Sequence, residues 1–191
     1  MRLILVLFTI LLIVPIGLAQ ANQMGSRIAF LQHKWLSGMD QPIKSEGYLS
    51  IYPSDIIYWQ VTFPFETEML ISETNIIQFV AKEKSMEVPI SQLPFLQSIR
   101  SLLLTLDSQD IKEEISKTYQ VELLENEAGW IFALPTQKLK NTPFDLIRFN
   151  GQKNMLSSVY MKRKTGDREE IQFGEIELLP LSEMPSLPEP N

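Results

Sequence analysis

The chain has 191 residues, of which 45% are hydrophobic and 21% are charged. This composition suits one globular domain and excludes a disordered tail, a collagen-like chain and a multi-span membrane protein. The absence of cysteine excludes disulfides, cysteine-ligated zinc, iron–sulfur clusters and thiol catalysis. The single histidine, His33, argues against a histidine triad or a histidine-rich metal site. With 23 acidic against 17 basic residues, the chain lacks the basic balance of a general nucleic-acid binder.

The first 21 residues have the layout of a secretory signal. Arg2 precedes an almost wholly apolar run from Leu3 to Leu18, and Ala19-Gln20-Ala21 follows as an A-x-A cleavage pattern. A membrane anchor is the alternative, but the apolar run is shorter than the roughly 20 residues that span a bilayer. We therefore expect cleavage of residues 1–21 and a mature protein in a bacterial periplasm, because a domain of this size builds its core without disulfides.

Alternation of apolar and polar residues with a period of two predicts a mainly β protein after residue 42. We expect about eight to eleven strands, with turns at Glu73-Thr74-Asn75, Asn150-Gly151 and Thr165-Gly166-Asp167. The predicted strands are 43–52, 55–63, 66–72, 75–80, 117–125, 129–134, 144–150, 153–164 and 168–178.

Three segments show helical spacing instead. Residues 26–38 predict a helix with Ser26 as its cap and Gly38 at its end. Residues 91–106 carry an apolar stripe that predicts an amphipathic helix capped by Ser91, and 108–116 predict a short second helix. The proline-rich residues 180–191 are expected to be extended and poorly packed.

Several predicted strands are apolar on both faces. Within 55–63, for example, Ile57 and Trp59 alternate with Ile56 and Tyr58, whereas a sheet with one wet face alternates more cleanly. Either both faces are covered and the core is filled, which the pattern alone favours, or one face lines an apolar cavity. An empty cavity is destabilising by about 24 cal/mol per Å³, so it would persist only where a ligand or a movable lid fills it.

Motifs for enzymatic chemistry are absent from the sequence. His33 fits a structural role. The acidic residues Asp107, Asp110, Glu113 and Glu114 lack calcium-loop spacing and fit helix caps and a solvated face. No nucleotide-binding or nucleophile-elbow motif occurs. The basic run from Lys162 to Lys164 fits a solvated hairpin tip, with a docking patch for an acidic partner as the alternative. We expect no enzymatic activity, no cofactor and no metal.

Four short motifs in the first half of the chain, taken in order, resemble the LolA-like family of periplasmic lipoprotein carriers. They are Phe30-x-Gln32-x-Lys34, Ser45-x-Gly47-x-Leu49-x-Ile51, Trp59-x-x-x-x-Pro64 and Met69-Leu70-Ile71-Ser72. The resemblance implies an unclosed, strongly curved antiparallel β-barrel whose α-helical lid covers a hydrophobic cavity. It places this half-barrel domain at 22–179, between the signal peptide and the proline-rich tail.

In that family the cavity receives the acyl chains of a lipoprotein from an inner-membrane exporter and passes them to an outer-membrane acceptor. The resemblance implies a monomeric carrier with a lipid or acylated lipoprotein as cargo and a part in outer-membrane biogenesis. The family has a basic residue before the proline of the second strand region, which helps to hold the lid shut. Tyr52 stands there in this chain, which leaves the latch and the kind of lipid open. The alternative is a non-enzymatic interaction or scaffold protein on the same fold with a filled core.

The candidate ligand-binding residues are apolar side chains on the lid and on the strands. Helix 95–106 is the lid candidate, because its apolar stripe would plug an empty cavity and swing aside for cargo. Trp59 is the leading candidate on the strands, because it belongs to one of the motifs that carry the resemblance. The full set is Leu49, Ile51, Trp59, Val61, Phe63, Phe79, Phe95, Leu96, Ile99, Leu103, Trp130 and Phe132.

Overall fold

The computed structural model describes residues 23–106, 108, 111–119, 124–127, 129–134 and 142–189. The predicted signal segment and the acidic residues Asp107 and Asp110 lie outside this part of the chain. Two helices are described, α1 (Pro94–Leu104) and α2 (Ile111–Tyr119). The strands are β1 (Met24–Trp35), β2 (Ile43–Ile51), β3 (Ile57–Phe63), β4 (Thr67–Ile71), β5 (Asn75–Val80), β6 (Glu83–Pro89), β7 (Leu124–Asn126), β8 (Gly129–Leu134), β9 (Phe144–Gln152), β10 (Met155–Arg163) and β11 (Arg168–Pro180).

All eleven described strands belong to one antiparallel sheet with the order β6-β5-β4-β3-β2-β1-β11-β10-β9-β8-β7. Two meanders are joined by the long pairing of β1 with β11, which runs from Met24 opposite Pro180 to Trp35 opposite Arg168. Strands β6 and β7 are the two edges, and within the described residues they do not pair with each other. The helices α1 and α2 fall between these edges in the chain, so the chain crosses from one edge to the other through helices.

The sheet is strongly curved. Gln78 on β5 and Phe149 on β9 line one cavity, although seven strand spacings separate their strands in the sheet order. At about 4.8 Å per strand, a flat sheet would hold them roughly 33 Å apart. The expected unclosed, curved antiparallel sheet with helices over it is therefore confirmed.

The main core lies between the two helices and the face of the sheet that they cover, here called the helix face. Side chains from β1, β2, β3 and β8 meet side chains of α1 and α2 in one apolar cluster. Its fully buried members include Ile28, Leu49, Ile57, Ile111, Ile115, Trp130, Phe132 and Ile147. No helix in the described residues is long and apolar enough to cross a membrane.

The opposite face of the sheet, here called the tail face, carries a second apolar cluster. Tyr52, Tyr58, Leu70 and Phe79 pack there against Met184 from the segment after β11. The Tyr52 hydroxyl donates a hydrogen bond to the carbonyl oxygen of Pro185, and Leu187 also packs on the cluster. The expectation that the proline-rich tail is extended and poorly packed is therefore wrong on both counts, since Leu181–Glu183 form a 3₁₀ turn and Met184 and Leu187 pack on the sheet.

Residues 26–38, predicted as a helix, form most of β1 instead. Ile28 and Phe30 are both buried at strand spacing, and Ser26 is a buried strand residue rather than a cap. Apolar residues occupy both faces of β1, with Ile28 and Phe30 on one face and Ala29 and Leu31 on the other. Such a strand resembles a helix in its spacing, and only the long-range pairing distinguishes the two.

The hairpin between β9 and β10 turns at Lys153 and Asn154, not at Asn150-Gly151 as predicted. Gly151 lies inside β9, opposite Trp130. A Cβ atom at this position would come within 2.1 Å of the Trp130 ring, so glycine serves the close approach of the indole. The other two predicted turns lie between paired strands in the structure.

Three further boundaries differ from the sequence prediction. Strand β6 was not predicted, because its hairpin turns at Ala81 and Lys82, both with positive φ, and lacks the asparagine or glycine typical of such turns. Helix α2 extends to Tyr119, so 117–119 are helical rather than the start of a strand. Helix α1 begins at Pro94 after Leu93, which makes no side-chain cap, and Ser91 lies in a preceding 3₁₀ turn.

Candidate functional site

A cavity of about 370 Å³ lies between α1 and the helix face. Its walls come from β3, β4, β9, β10, β11 and α1. The apolar side chains that line it are Trp59, Val61, Met69, Ile71, Leu96, Ile99, Leu102, Leu103, Phe144, Ile147, Phe149, Val159, Met161, Ile171 and Phe173. An apolar pocket of this size, with a few polar groups at one side, is the usual form of a small-molecule site.

The alternation of side chains along β3 forms the first wall of the cavity. Trp59 and Val61 lie two residues apart on β3, so both point to the helix face. Behind them, the Phe30 ring lies 4.5 Å from the Trp59 ring, measured between centroids. The Trp59 indole is thereby packed against a second aromatic ring.

The opposite wall comes from β9, where an irregularity in the pairing changes the usual alternation. Phe144 pairs with Arg163 and Leu146 pairs with Lys162, so the register shifts by one residue between them. Phe144 and Phe149 can therefore both line the cavity, although they are an odd number of residues apart. Phe149 is stacked on Phe132, with ring centroids 5.5 Å apart.

Helix α1 covers the cavity. Leu96, Ile99 and Leu103 follow helical spacing and line the cavity from above. On its other side, Arg100 donates a hydrogen bond of 2.8 Å through Nη2 to the carbonyl oxygen of Asp55, in the loop between β2 and β3. The helix is thus held by apolar packing and by a polar contact at the surface.

Polar side chains lie at one end of the cavity, and we call Gln32, Thr67, Arg163 and Glu169 the mouth. All four belong to the end of the sheet where β1 and β10 finish and β4 and β11 begin. Gln32 donates a hydrogen bond to a carboxylate oxygen of Glu169. The cavity therefore joins an apolar interior to a polar opening.

The carboxylate of Glu68, a further residue beside the cavity, interacts with the Tyr58 hydroxyl on the tail face. Burial, reinforced by the negative charge and hydrogen bond of Glu68, raises the pKa of Tyr58 above its usual range. Near the mouth, hydrogen bonds from the Ser37 backbone and the Thr165 hydroxyl lower the pKa of Asp167. Glu68 thus lines the cavity while its carboxylate has a partner in Tyr58. Asp167 binds the β10–β11 turn to the segment that follows β1.

The structure brings five of the predicted site residues to the cavity: Trp59, Val61, Leu96, Ile99 and Leu103. Leu49, Ile51, Trp130 and Phe132 are buried in the adjoining core without lining the cavity. Phe63 is exposed at the end of β3. Phe79 lies in the cluster of the tail face, and the side chain of Phe95 lies outside the described part of the structure.

The residues that sequence reasoning missed are those of the second wall and of the mouth. The two-faced apolar pattern of 144–149 was a signal for the second wall, since Phe144, Ile147 and Phe149 all line the cavity. Arg163 was assigned to a solvated hairpin tip. Its neighbours Lys162 and Lys164 are exposed there, but Arg163 itself lines the cavity.

His33 lies on β1 rather than on a helix, and its ring stacks on Trp35 with centroids 5.8 Å apart. It is half-buried and does not line the cavity. Its surroundings fit the structural role expected for it. Glu113 and Glu114, the described members of the acidic group, are exposed in the first turn of α2, where negative charge favours a helix.

No protein-family model matches the chain, and no curated protein matches it in sequence. Several solved structures are similar to it. A LolA superfamily protein from Nitrosomonas europaea is 9% identical, with a TM-score of 0.44 over 83% of this chain and 88% of that one. A domain named for outer membrane lipoprotein sorting, from Vibrio parahaemolyticus, is 10% identical, with a TM-score of 0.40 over 83% and 86%. A DUF1329 family protein from Desulfovibrio piger is 11% identical, with a TM-score of 0.37 over 83% and 86%. The first of these bears the family name that the motifs in the sequence resemble.

Proposed function

We propose that the protein is a non-enzymatic periplasmic carrier that holds acyl chains of lipoproteins or other lipids in the cavity and moves them between the inner and outer membranes. The observation that carries the proposal is the apolar cavity of about 370 Å³ beneath α1. An unfilled apolar cavity is destabilising, and in a scaffold protein with no ligand nothing would compensate for that loss of stability. The cavity therefore favours a carrier over the alternative with a filled core.

The apolar walls and the helical cover of the cavity suit the energetics of binding and release. Each buried methylene group contributes about 0.8 kcal/mol, so an acyl chain gains many times that value on leaving water for the apolar walls. Release needs a cover that can move. Helix α1 meets the sheet through apolar packing and the hydrogen bond from Arg100 to Asp55, and its displacement would open the cavity to an acceptor.

Filling the cavity tests the proposal directly. Ile99 lines the cavity from α1, and we expect Ile99→Trp to weaken binding of the fluorescent probe ANS at least about tenfold, because the indole occupies the same space. The matched control is Ile131→Trp on β8, where Ile131 is 41% exposed. The control adds the same volume outside the cavity and should leave the affinity unchanged.

Two measurements decide the outcome. Circular dichroism establishes that both variants are folded, and ANS titration compares their affinities with that of the unmodified protein. Equal affinities in the two variants would contradict a binding role for the cavity. Transfer of a fluorescent lipid between donor and acceptor vesicles then separates a carrier from a static binder, and native mass spectrometry of protein from its host gives the mass of any bound lipid.

A further inference from the structure

The size of the cavity bears on how many acyl chains it can hold. At about 370 Å³, the cavity lies near the lower end of the roughly 300–1,000 Å³ that is typical of ligand pockets. A cavity at this end of the range suits one acyl chain. A lipid with two or three chains would need two or three times this volume.

The charges around the cavity bear on the other end of the ligand. Among the described residues that line the cavity, Arg163 is the one cation, and Glu68 and Glu169 are the anions. Both carboxylates have partners within the protein, since Glu169 accepts a hydrogen bond from Gln32 and Glu68 interacts with Tyr58.

Arg163 is placed differently from these carboxylates. Its guanidinium lies 5.1 Å from the centroid of the Phe144 ring, and Phe144 is itself part of the cavity wall. None of the ion pairs in the described part of the chain involves Arg163, although its charge contributes to the lowered pKa of the exposed Asp167 carboxyl. A planar cation on an aromatic wall, at the polar end of an apolar cavity, is suited to bind a carboxylate or a phosphate.

We propose that the cavity takes one single-chain amphiphile with an anionic head, a carboxylate or a phosphate, and that Arg163 binds this head at the mouth. The proposal rests on the proposed function and narrows it to a substrate class. The apolar walls accept the chain whatever its head, and Arg163 determines the preference among heads. A single-chain ligand distinguishes this site from one built for a lipid with several chains.

A series of ligands with equal chains tests the proposal. Isothermal titration calorimetry of the full protein would compare dodecanoate and dodecyl phosphate, each below its critical micelle concentration, with dodecanol below its solubility limit. We expect a stoichiometry of one and at least about tenfold tighter binding of an anionic ligand than of dodecanol, because a charge-assisted hydrogen bond is worth more than a neutral one. The two anionic arms identify whether the head is a carboxylate or a phosphate.

Variants assign the preference to Arg163. Arg163→Gln should reduce the preference for an anionic head over dodecanol to less than about threefold, while Arg163→Lys should retain part of the preference. The matched control is Lys162→Gln, which removes the same charge from the neighbouring exposed residue and should change nothing. Thermal unfolding of each variant establishes that it is folded.

Two results overturn the proposal and leave the proposed function standing. One is equal binding of dodecanoate, dodecyl phosphate and dodecanol, or an equal effect of Arg163→Gln and Lys162→Gln. The other is binding of a lipid with two chains of 12 carbons, one per protein, at least as tightly as the single-chain ligands. If none of these amphiphiles binds, the proposed function fails together with this narrower proposal.

Discussion

The two faces of the sheet are both apolar, yet they are covered in different ways. On the helix face, α1 spans the strands and leaves a cavity of about 370 Å³ beneath it. On the tail face, the segment after β11 lies along the strands, and Met184 and Leu187 pack directly on Tyr52, Tyr58 and their neighbours. Helix α1 leaves space between itself and the curved sheet, whereas the segment after β11 packs directly on the strands. The cover, more than the apolar character of the strands, determines which face has a cavity.

The largest expected effects come from a matched pair of phenylalanines, one on each face. Phe79 on the tail face and Phe149 in the cavity wall are each 2% exposed. We expect Phe79→Ala and Phe149→Ala each to lower the free energy of unfolding by about 3–5 kcal/mol, measured by urea denaturation. Only Phe149→Ala should change ANS affinity, because only Phe149 lines the cavity.

If the alanine variants unfold, Phe79→Leu and Phe149→Leu repeat the comparison at a smaller loss of stability. A change in ANS affinity in the Phe79 variant, equal to that in the Phe149 variant, would contradict the separation of the two faces.

Phe79 also shows where sequence-based prediction stops, since it is a predicted site residue that lies on the tail face. Period-two alternation predicts that Trp59 and Val61 share a face, but it does not say which face the helices cover. That choice depends on the pairing of β1 with β11, which brings Gln32 to Glu169, 137 residues away in the chain. The same pairing makes residues 26–35 a strand although their spacing also fits a helix. Local patterns thus predict most strands, while long-range pairing determines the site.

The tail was hardest to predict, for a different reason. Its proline content is typical of extended, solvated chain, yet Leu181–Glu183 form a 3₁₀ turn and Met184 is buried. Its attachment depends on single contacts, such as Met184 above Gly25, where a Cβ atom would come within 2.7 Å of the Met184 methyl group. No periodicity in the sequence encodes such a contact, because the tail itself has no repeating pattern.

A second matched pair compares the two covers rather than the two sheet faces. Met184 from the tail and Leu103 from α1 are each 8% exposed. We expect Met184→Ala and Leu103→Ala each to lower the free energy of unfolding by about 2–3 kcal/mol. ANS titration should then show an altered affinity for Leu103→Ala alone. Unchanged stability in Met184→Ala would mean that the tail does not cover its face in solution.

The smallest effect concerns the polar contact that fixes the tail. Tyr52→Phe keeps the ring and removes the hydrogen bond to the Pro185 carbonyl oxygen, so we expect a loss of about 1 kcal/mol at pH 7. Burial raises the pKa of Tyr52 to about 12, an effect that Arg27 nearby partly opposes. Because the folded-state pKa lies above the unfolded value of 10.0, the contribution of this phenol is complete below pH 10 and is lost as the pH rises towards 12.

The pH dependence therefore separates this hydrogen bond from simple packing on the tail face. The stability difference between the unmodified protein and Tyr52→Phe, measured by urea denaturation, should shrink between pH 10 and pH 12. Tyr58, whose pKa is raised mainly by burial and to a smaller extent by Tyr52, is present in both proteins, so most of its contribution cancels in the difference. A difference that stays constant over this range would mean that the Tyr52 hydroxyl is not buried against the tail, and that the tail face is held by apolar contacts alone.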